Sequence, residues 1–328
     1  MKKITFFSPH LGLRGTEVTM FDYAFYGRKM YGWDVQILFN EKGHRNHPTA
    51  IEKFRKEFEV HAIQDPTSTS LALNKEIETF LEAHPSEYFY VQKGGHNDGL
   101  CPSNTKTCIL CCTMVDPKKE KHGDRYAFIS DWLSQHCSKG ETPVVPSIVD
   151  LPDIQGNLRE ELSIPKSAIV FGRTGGMDTW NLPFTNKVVE QICNQTDNIY
   201  FVFQNTPRFI EHPQVIFIPS TSDLTYKVKF INTCDALLHS RYEGESFGVT
   251  CGEFSIKNKP VITFLHSFER NHINLLGDKG IYYENGEQLF RILHSFRDNH
   301  LDKEKDWNCY RQFQPEKVMP QFKKVFID

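Results

Sequence analysis

The sequence predicts an α/β protein built from two Rossmann-like parallel-sheet domains. Its 328 residues exceed one ordinary domain and suit two domains of roughly 150 residues each. Short apolar, β-branched or aromatic runs alternate with helical patterns along the chain, as in repeated βα units. The composition, 39% hydrophobic and 24% charged, is typical of a globular protein and argues against disorder.

We assign the first domain to residues 1–150. A helix is predicted over residues 16–31, with Thr16 as its N-terminal cap and Gly32 at its end. The predicted strands of this half are residues 3–8, 33–39, 87–92, 107–113, 126–130 and 142–149.

The second domain is assigned to residues 151–300 and opens with a Pro-containing linker that carries a short helix. Two helical segments, 302–314 and 315–326, are predicted in the C-terminal region 301–328, which we expect to cross back to the first domain. The predicted strands of the second half are residues 168–172, 199–205, 215–219, 234–240, 260–263 and 281–283.

Charge and the N-terminal sequence exclude several classes of protein. A formal net charge of -3 gives no general attraction to a phosphate backbone, so we expect no nucleic-acid partner. The N-terminal apolar run ITFF is too short for a signal sequence or a membrane span. We therefore expect a cytoplasmic protein with at most peripheral contact with a membrane surface.

Nine cysteines, most of them inside apolar runs, indicate thiols in a reducing compartment and no disulfide framework. A zinc site formed by Cys108, Cys111 and Cys112 with Cys101 or Cys137 is an alternative interpretation. We disfavour it because successive side chains of a strand point to opposite faces, which presents C-x-x-C poorly to one ion. We expect no metal site.

The segment HSRYEGESFGVTCGE carries two carboxylates, Glu245 and Glu253, with seven residues between them. It runs from a predicted strand into a predicted helix, and ligands bind in loops at the carboxyl ends of parallel strands. Both carboxylates would then reach a ligand, and each can accept hydroxyl groups. The simpler alternative is that Glu245 caps the helix and Glu253 is a solvated surface residue.

The three residues Ser246, Phe247 and Gly248 are predicted to start this helix. Free N–H groups and the positive end of a helix favour an anion at such a position. Gly248 would allow a ligand to come close to the backbone.

The stretch GESFGVTCGEFSIKNKPVIT resembles the C-terminal domain of retaining glycosyltransferases of the GT-B architecture, of the group 1 (family 4) type. The resemblance implies two Rossmann-like domains facing a central cleft. It also implies that Glu245 contacts hydroxyls of the transferred sugar and that Glu253 binds the ribose of the nucleotide. The amides of Ser246, Phe247 and Gly248 would approach the sugar and the diphosphate.

The stretches VVPSIVD and LREELSIPKSAIVFGRTGG resemble the interdomain segment of the same family and the start of its second domain. The resemblance implies that Arg173, beside Gly175 and Gly176, neutralises the donor diphosphate. A surface arginine in a loop is the alternative. The family usually has a lysine five residues after this arginine, where this chain has Asp178. Lys187, Arg241 and the two glycine amides are open candidates for the second charge.

In the first half, LGLRGTEV resembles the family's loop between the first strand and helix, which borders the acceptor and the donor phosphates. Gly15, Thr16 and Glu17 are the corresponding residues here. KGGHNDG supplies His96, near a position where family members often have a histidine on the acceptor side; a surface histidine is the alternative. The run DPKKEKHGDR (116–125) is either a solvated loop or a surface for an anionic acceptor or lipid.

The resemblance implies an enzyme that moves a sugar from a nucleotide-diphosphate sugar, UDP- or GDP-linked, to a hydroxyl of a glycan, lipid or small molecule. The resemblance also implies transfer with retention. Because the chain has no D-x-D motif, we expect transfer without metal and without a separate cofactor. Glu245, Arg173 and His96 are the candidate catalytic residues. The alternatives are a non-catalytic GT-B protein that binds nucleotide or glycan, and a nucleotide-sugar epimerase. No G-x-G-x-x-G follows the first strand, which argues against a nicotinamide or flavin site.

Overall fold

The chain divides into two compact α/β units. The first comprises Met1–Ile148 together with Gln312–Asp328, and the second comprises Val149–Arg311. The computed structural model describes residues 1–64, 70–302 and 304–328.

The first unit is built on a parallel sheet whose described strands have the order β3-β2-β1-β4-β5-β6. Its central strands are apolar on both faces, as expected for strands covered by helices on each side. The elements are β1 (Lys3–Ser8), α1 (Gly15–Tyr31), β2 (Asp34–Asn40), α2 (Pro48–Glu57), β3 (Glu59–Ile63), α3 (Ser70–Ala83), β4 (Tyr88–Lys93), β5 (Lys106–Cys111), α4 (Pro117–Glu120), β6 (Arg125–Phe128) and α5 (Asp131–Ser138).

The second unit has a parallel sheet whose described strands have the order β14-β12-β10-β7-β8-β9, and β11 pairs separately with β13. Its elements are β7 (Ile169–Arg173), α6 (Pro183–Gln195), β8 (Ile199–Gln204), β9 (Val215–Ile218), α7 (Leu224–Thr233), β10 (Ala236–His239), β11 (Gly244–Glu245), α8 (Val249–Ile256), β12 (Val261–Phe264), β13 (Glu269–Arg270), α9 (Asn271–Leu276), β14 (Ile281–Tyr283), α10 (Gly286–His294) and α11 (Phe296–Asn299). A last helix, α12 (Pro315–Phe326), belongs to the first unit.

The sheet of the first unit differs from the prediction at two places. Residues 142–149 form no strand: Val144 makes a single bridge to Phe128, and Pro143 and Pro146 have no N–H to donate to a ladder. Conversely, the edge strand β3 was not predicted, because its sequence EVHAI is half exposed and lacks a continuous apolar run. The other predicted strands are confirmed to within two residues at each end.

The cap predicted for α1 is also wrong. Arg14 occupies the N-cap position, and the hydroxyl of Thr16 instead donates to the Glu17 carboxylate at 2.8 Å. The predicted end is confirmed: Gly32 has φ of 65°, and its N–H donates to the carbonyl of Arg28 at 3.0 Å. Glycine adopts this left-handed conformation without steric cost.

Two predicted helical segments are turns instead. The linker has turn hydrogen bonds, such as the bond from Leu162 N–H to Leu158 O, in place of a short helix. In the segment 302–314, of which Lys303 lies outside the described residues, the backbone is irregular apart from a 3-10 turn, Arg311–Phe313. Asp302, Asp306 and Asn308 accept N–H bonds from residues two positions further on, and such side-chain bonds compete with a helix. Within the described residues, every helix is too short or too polar to cross a lipid bilayer.

Helix α12 packs against the first unit through several buried side chains, among them Phe322. Phe322 is fully buried, and its ring lies 4.8 Å from that of Tyr23, 5.4 Å from that of Tyr90 and 5.7 Å from that of Trp33. The four rings form a continuous apolar contact between α12, α1 and the sheet.

We predict that Phe322→Ala destabilises the first unit by about 3–5 kcal/mol, because it leaves a cavity among the rings that surround it. Denaturant unfolding followed by tryptophan fluorescence measures the change. Lys324→Ala, at an exposed position of the same helix, is the matched control and is expected to change stability by less than about 0.5 kcal/mol. Equal stability of the two variants would contradict this account of how α12 is held.

Candidate functional site

The candidate site of the second unit lies where neighbouring strands end. β12, β10 and β7 are adjacent and parallel, so their carboxyl ends share one edge of the sheet. The loops after β10 and β12 are joined to each other by the β11–β13 pair. Gly244 has φ of 78°, and a Cβ atom there would lie 2.1 Å from the carbonyl of Glu269. Glycine is therefore required for this close pairing, which fixes the position of Glu245.

One oxygen of Glu245 is held by two donors and the other is not. His239 Nε2 and Arg241 Nη1 each lie 3.1 Å from Oε1, whereas no described residue donates a hydrogen bond to Oε2. The side chain is 23% exposed. Burial by itself raises the pKa of Glu245, but the hydrogen bond from His239 and the charge of Arg241 lower it to about 2. Glu245 thus holds an ionised carboxylate with one free acceptor oxygen, and it does not cap α8.

Glu253 has the same arrangement on α8. Lys227 Nζ, from α7, lies 2.7 Å from Oε1, and among the described residues no donor reaches Oε2. Glu253 is 5% exposed, so it is not a solvated surface residue. Lys227 is not among the residues predicted from the sequence, because nothing in the local pattern of α7 distinguishes this lysine from a surface one.

The loop before α8 presents backbone groups to this edge of the sheet. The helix begins at Val249, with Gly248 at the N-cap in a left-handed conformation, so it starts later than predicted. Phe247 is buried, and its carbonyl accepts a bond from Asn271 Nδ2 at 2.9 Å. Any contact of Phe247 with a ligand would therefore be through its backbone. Ser246 is partly exposed.

Arg173 is buried at the end of β7, so it is not a surface arginine. Burial lowers its pKa to about 10, which leaves the guanidinium charged near neutral pH. Its Nη1 and Nη2 atoms donate to five protein oxygens: Gln204 O, Asn205 O, Thr206 Oγ1, Gly176 O and Thr179 Oγ1. The guanidinium therefore organises the loop of Gly175 and Gly176, while Asp178 in the same loop is exposed.

Three carboxylates surround Arg241. Glu245 Oε1 is 3.1 Å from Nη1 and Glu243 Oε2 is 3.6 Å from Nε, and Glu269 lies on the paired strand β13. Burial raises the pKa of Glu269 to about 7 against the opposing charge of Arg241, and Glu245 and Glu243 add to the rise. Three carboxylates therefore share one cation, so negative charge is in excess here. Glu269 is the carboxylate that takes up a proton.

In the first unit, the end of β1 and the start of α1 enclose Glu17. Its Oε1 accepts from the Thr16 hydroxyl at 2.8 Å and lies 3.5 Å from His10 Nε2. Its Oε2 is buried without a hydrogen-bond partner among the described residues, and burial raises the pKa of the side chain. Gly15 is exposed at the first position of the helix.

His96 lies in the loop after β4 and is 66% exposed. Its Nδ1 atom is 3.5 Å from Glu120, whose other carboxylate oxygen accepts the N–H of Asn97 at 2.8 Å. Glu120 belongs to the basic run, so this acid is engaged locally, while Lys118 and Lys119 are exposed. His96 therefore occupies an exposed loop position beside Glu120.

In the described residues, all nine cysteines are free thiols, and no three His, Cys, Asp or Glu side chains are grouped as metal ligands. A cavity of about 820 Å³ lies at the other end of β7, away from Glu245. Its Asp235 pairs with Arg159 at 3.0 Å and accepts the N–H of Val170 at 2.8 Å, so its central charges are already matched.

We predict that Glu269→Gln stabilises the protein at about pH 8 by about 1–2 kcal/mol and has little effect near pH 5. The carboxyl ionises at about 4.5 when unfolded but near 7 when folded, so wild-type stability falls as the pH rises through this range. Glutamine cannot ionise and escapes this loss. Denaturant unfolding at both pH values measures the difference, with the exposed Glu190→Gln as control. A benefit that is equal at both pH values would contradict the assignment.

Comparison with solved structures places this fold among known ones. HepE from Anabaena, in complex with UDP-glucose, matches with a TM-score of 0.73 at 12% identity over 99% of each chain. WaaG, a glycosyltransferase involved in lipopolysaccharide biosynthesis, matches with a TM-score of 0.67 at 12% identity over 99% of this chain and 100% of its own. A protein assigned as a UDP-N-acetylglucosamine 2-epimerase, from Listeria monocytogenes, matches with a TM-score of 0.63 at 10% identity over 99% of this chain and 94% of its own.

No protein-family model and no curated protein sequence matches the chain. The structural matches are full-length, but their identities are low, so they establish architecture and leave chemistry to the site. The chain therefore has the GT-B fold, an α/β architecture with two parallel-sheet domains.

Proposed function

We propose that the protein is a retaining, metal-independent glycosyltransferase that moves a sugar from a nucleotide-diphosphate sugar to a hydroxyl acceptor. The observation that carries this proposal is that Glu245 and Glu253 have the same hydrogen-bonding pattern. Each uses Oε1 for a protein cation or donor and keeps Oε2 for another partner. Ionised carboxylates only accept hydrogen bonds, so the missing partners are donors, as the hydroxyls of a sugar and a ribose are.

The two carboxylates have different surroundings, which supports different roles. Glu245 lies in the loop at the sheet edge and would contact hydroxyls of the transferred sugar. Glu253 lies on the second turn of α8 and would bind the ribose, with Lys227 fixing its carboxylate. A structure that shares this fold contains UDP-glucose, which supports a UDP-linked donor; a GDP-linked donor is the other candidate.

The leaving diphosphate would be stabilised by several partial and full charges. The N–H groups of the loop Ser246–Gly248 and of the first turn of α8 provide partial positive charge. Arg173 supplies a full charge behind the glycine loop, although its Nη donors are bound to the protein. Because Asp178 replaces the family's lysine, we propose Arg241 and the amides of Gly175 and Gly176 as further contributors.

Catalysis would consist of positioning and electrostatic stabilisation. As the bond to the diphosphate breaks, positive charge develops on the sugar, and the ionised Glu245 lies beside it. The acceptor hydroxyl attacks the face from which the nucleotide departs, and the leaving phosphate takes its proton. No protein nucleophile is required for this sequence of events.

For the acceptor we propose residues of the first unit. Gly15, Thr16 and the buried Glu17 form the first turn of α1, and His96 lies in an exposed loop after β4. The acceptor classes are a glycan, a lipid or a small molecule, and the exposed lysines of residues 116–125 would favour an anionic one. We propose a cytoplasmic location, with contact at a membrane surface in the case of a lipid acceptor.

A second candidate is a nucleotide-sugar epimerase, and the observation that favours it is the match to the Listeria protein. A third, a non-catalytic nucleotide- or glycan-binding protein, is favoured by the full engagement of the Arg173 Nη donors by protein oxygens. The free carboxylate oxygens would also serve binding alone, so turnover has to separate the three functions.

We predict that one donor from a panel of UDP- and GDP-sugars is consumed, with nucleotide released in an acceptor-dependent reaction that EDTA does not inhibit. Nucleotide release is measured by a coupled assay, and the anomeric configuration of the product by NMR. Release of nucleotide with an altered free sugar and no acceptor would indicate an epimerase. Binding of nucleotide without turnover of any donor would indicate the non-catalytic protein.

We predict that Glu253→Ala raises KM for the donor about tenfold or more, whereas Glu245→Gln lowers kcat about a hundredfold. The first change removes a contact made with bound donor, and the second removes negative charge beside the developing cation. Steady-state kinetics with the identified donor separates the two effects. Glu190→Gln, exposed on α6, is the control. Wild-type kinetics in both site variants would sink the assignment of these residues.

A further inference from the structure

A series of hydrogen-bonded, buried side chains leads from Glu245 into the interior of the second unit. His239 Nε2 is 3.1 Å from Glu245 Oε1, and His239 Nδ1 is 2.8 Å from Thr263 Oγ1. Thr263 Oγ1 is in turn 3.1 Å from His272 Nε2. The three residues come from β10, β12 and α9, and all are buried.

The number of available protons determines which group donates in each of these hydrogen bonds. The ionised Glu245 can only accept, so His239 Nε2 carries a proton and donates. The Thr263 hydroxyl has one proton and, among the described residues, only the two imidazoles as partners, so it donates to one imidazole and accepts from the other. Burial lowers the pKa of His272 to about 3, so this ring is neutral and carries one proton.

Two arrangements remain, and the surroundings of His272 distinguish them. If Thr263 donates to His272, the proton of that ring lies on Nδ1, which is buried and has no hydrogen-bond partner among the described residues. A buried N–H without an acceptor is costly. If His272 Nε2–H donates to Thr263, Nδ1 is an unprotonated nitrogen, and Thr263 donates to a neutral His239. Every proton of the chain then has an acceptor.

We infer that His272, Thr263 and His239 form a directed hydrogen-bond relay that holds His239 in its Nε2–H form and so positions the Glu245 carboxylate. Thr263 and His272 never touch the carboxylate; they are positioning residues. The relay fixes the imidazole plane, and together with Arg241 it keeps Oε1 hydrogen-bonded, while Oε2 has no donor among the described residues. The consequence for sugar transfer rests on the proposed function, whereas the relay itself does not.

Thr263→Val tests the relay, because valine has nearly the shape of threonine but neither donates to His239 nor accepts from His272. With histidine labelled by ¹⁵N, NMR reports which ring nitrogen carries the proton, and His239→Gln assigns the His239 signals by their loss. We expect one Nε2–H form of His239 in the wild type and in Thr263→Ser, and a mixture of tautomers in Thr263→Val. An Nδ1–H form of His239 in the wild type, or identical spectra in Thr263→Val, would overturn the inference.

With the donor identified, kinetics tests the consequence for Glu245. We expect Thr263→Val to lower kcat/KM about tenfold and Thr263→Ser to restore it to within about twofold of wild type. In a His239→Gln background, Thr263→Val should have little further effect, because its action passes through His239. Additive losses would mean that Thr263 acts through general stability and would overturn the relay.

Thr233→Val is the matched control, since Thr233 is also fully buried in the second unit and its hydroxyl donates to Lys229 O at 2.7 Å. It should leave kcat/KM and the His239 spectrum unchanged, and a loss equal to that of Thr263→Val would count against the relay. If no nucleotide sugar is turned over by the wild type, the proposed function fails, and the NMR result alone decides the relay.

Discussion

Partial burial of the Glu245 carboxylate depends on the donors that hold its Oε1 atom. An ionised carboxylate taken out of water is costly unless charged or hydrogen-bonding groups replace the solvent. Here the replacements are His239, the last residue of β10, and Arg241 in the loop that follows. The β11–β13 pair then fixes the loop itself, and Gly244 makes that pairing sterically possible. The arrangement of His239, Arg241 and the β11–β13 pair at this sheet edge therefore stabilises the negative charge of Glu245.

The same principle governs the other charged groups of the second unit. Glu253 is buried against Lys227, and Arg173 is buried against five oxygen atoms of neighbouring loops. Each of these charged groups is compensated by hydrogen bonds to protein atoms. The carboxylates keep an oxygen without a protein donor, whereas the Nη atoms of the guanidinium are fully engaged. The described structure is therefore better prepared for the hydroxyl groups of a ligand than for direct contacts of Arg173 with a diphosphate.

Fold and site contribute different parts of the functional argument. Matches at 10–12% identity show that the GT-B architecture is shared by proteins described as glycosyltransferases and as an epimerase. Architecture alone does not choose between these activities. The chemistry of the sheet edge, with two anchored carboxylates and a helix start that has no side-chain cap, is suited to a ligand rich in hydroxyl groups. The relay behind His239 adds a reason why the first of these carboxylates keeps a single orientation.

The sequence by itself determined the α/β class and the positions of most strands, because apolar runs separated by helical patterns are local features. It also identified the spacing of Glu245 and Glu253 and their place after a strand. Only the tertiary structure decided how these groups are held. Lys227 and Glu253 are 26 residues apart, and His239 and Thr263 are 24 apart, so their contacts exist only once helices and strands have packed. The burial of Arg173 likewise depends on tertiary packing, because its oxygen partners at the end of β8 and in the loop that follows lie more than 30 residues away in the chain.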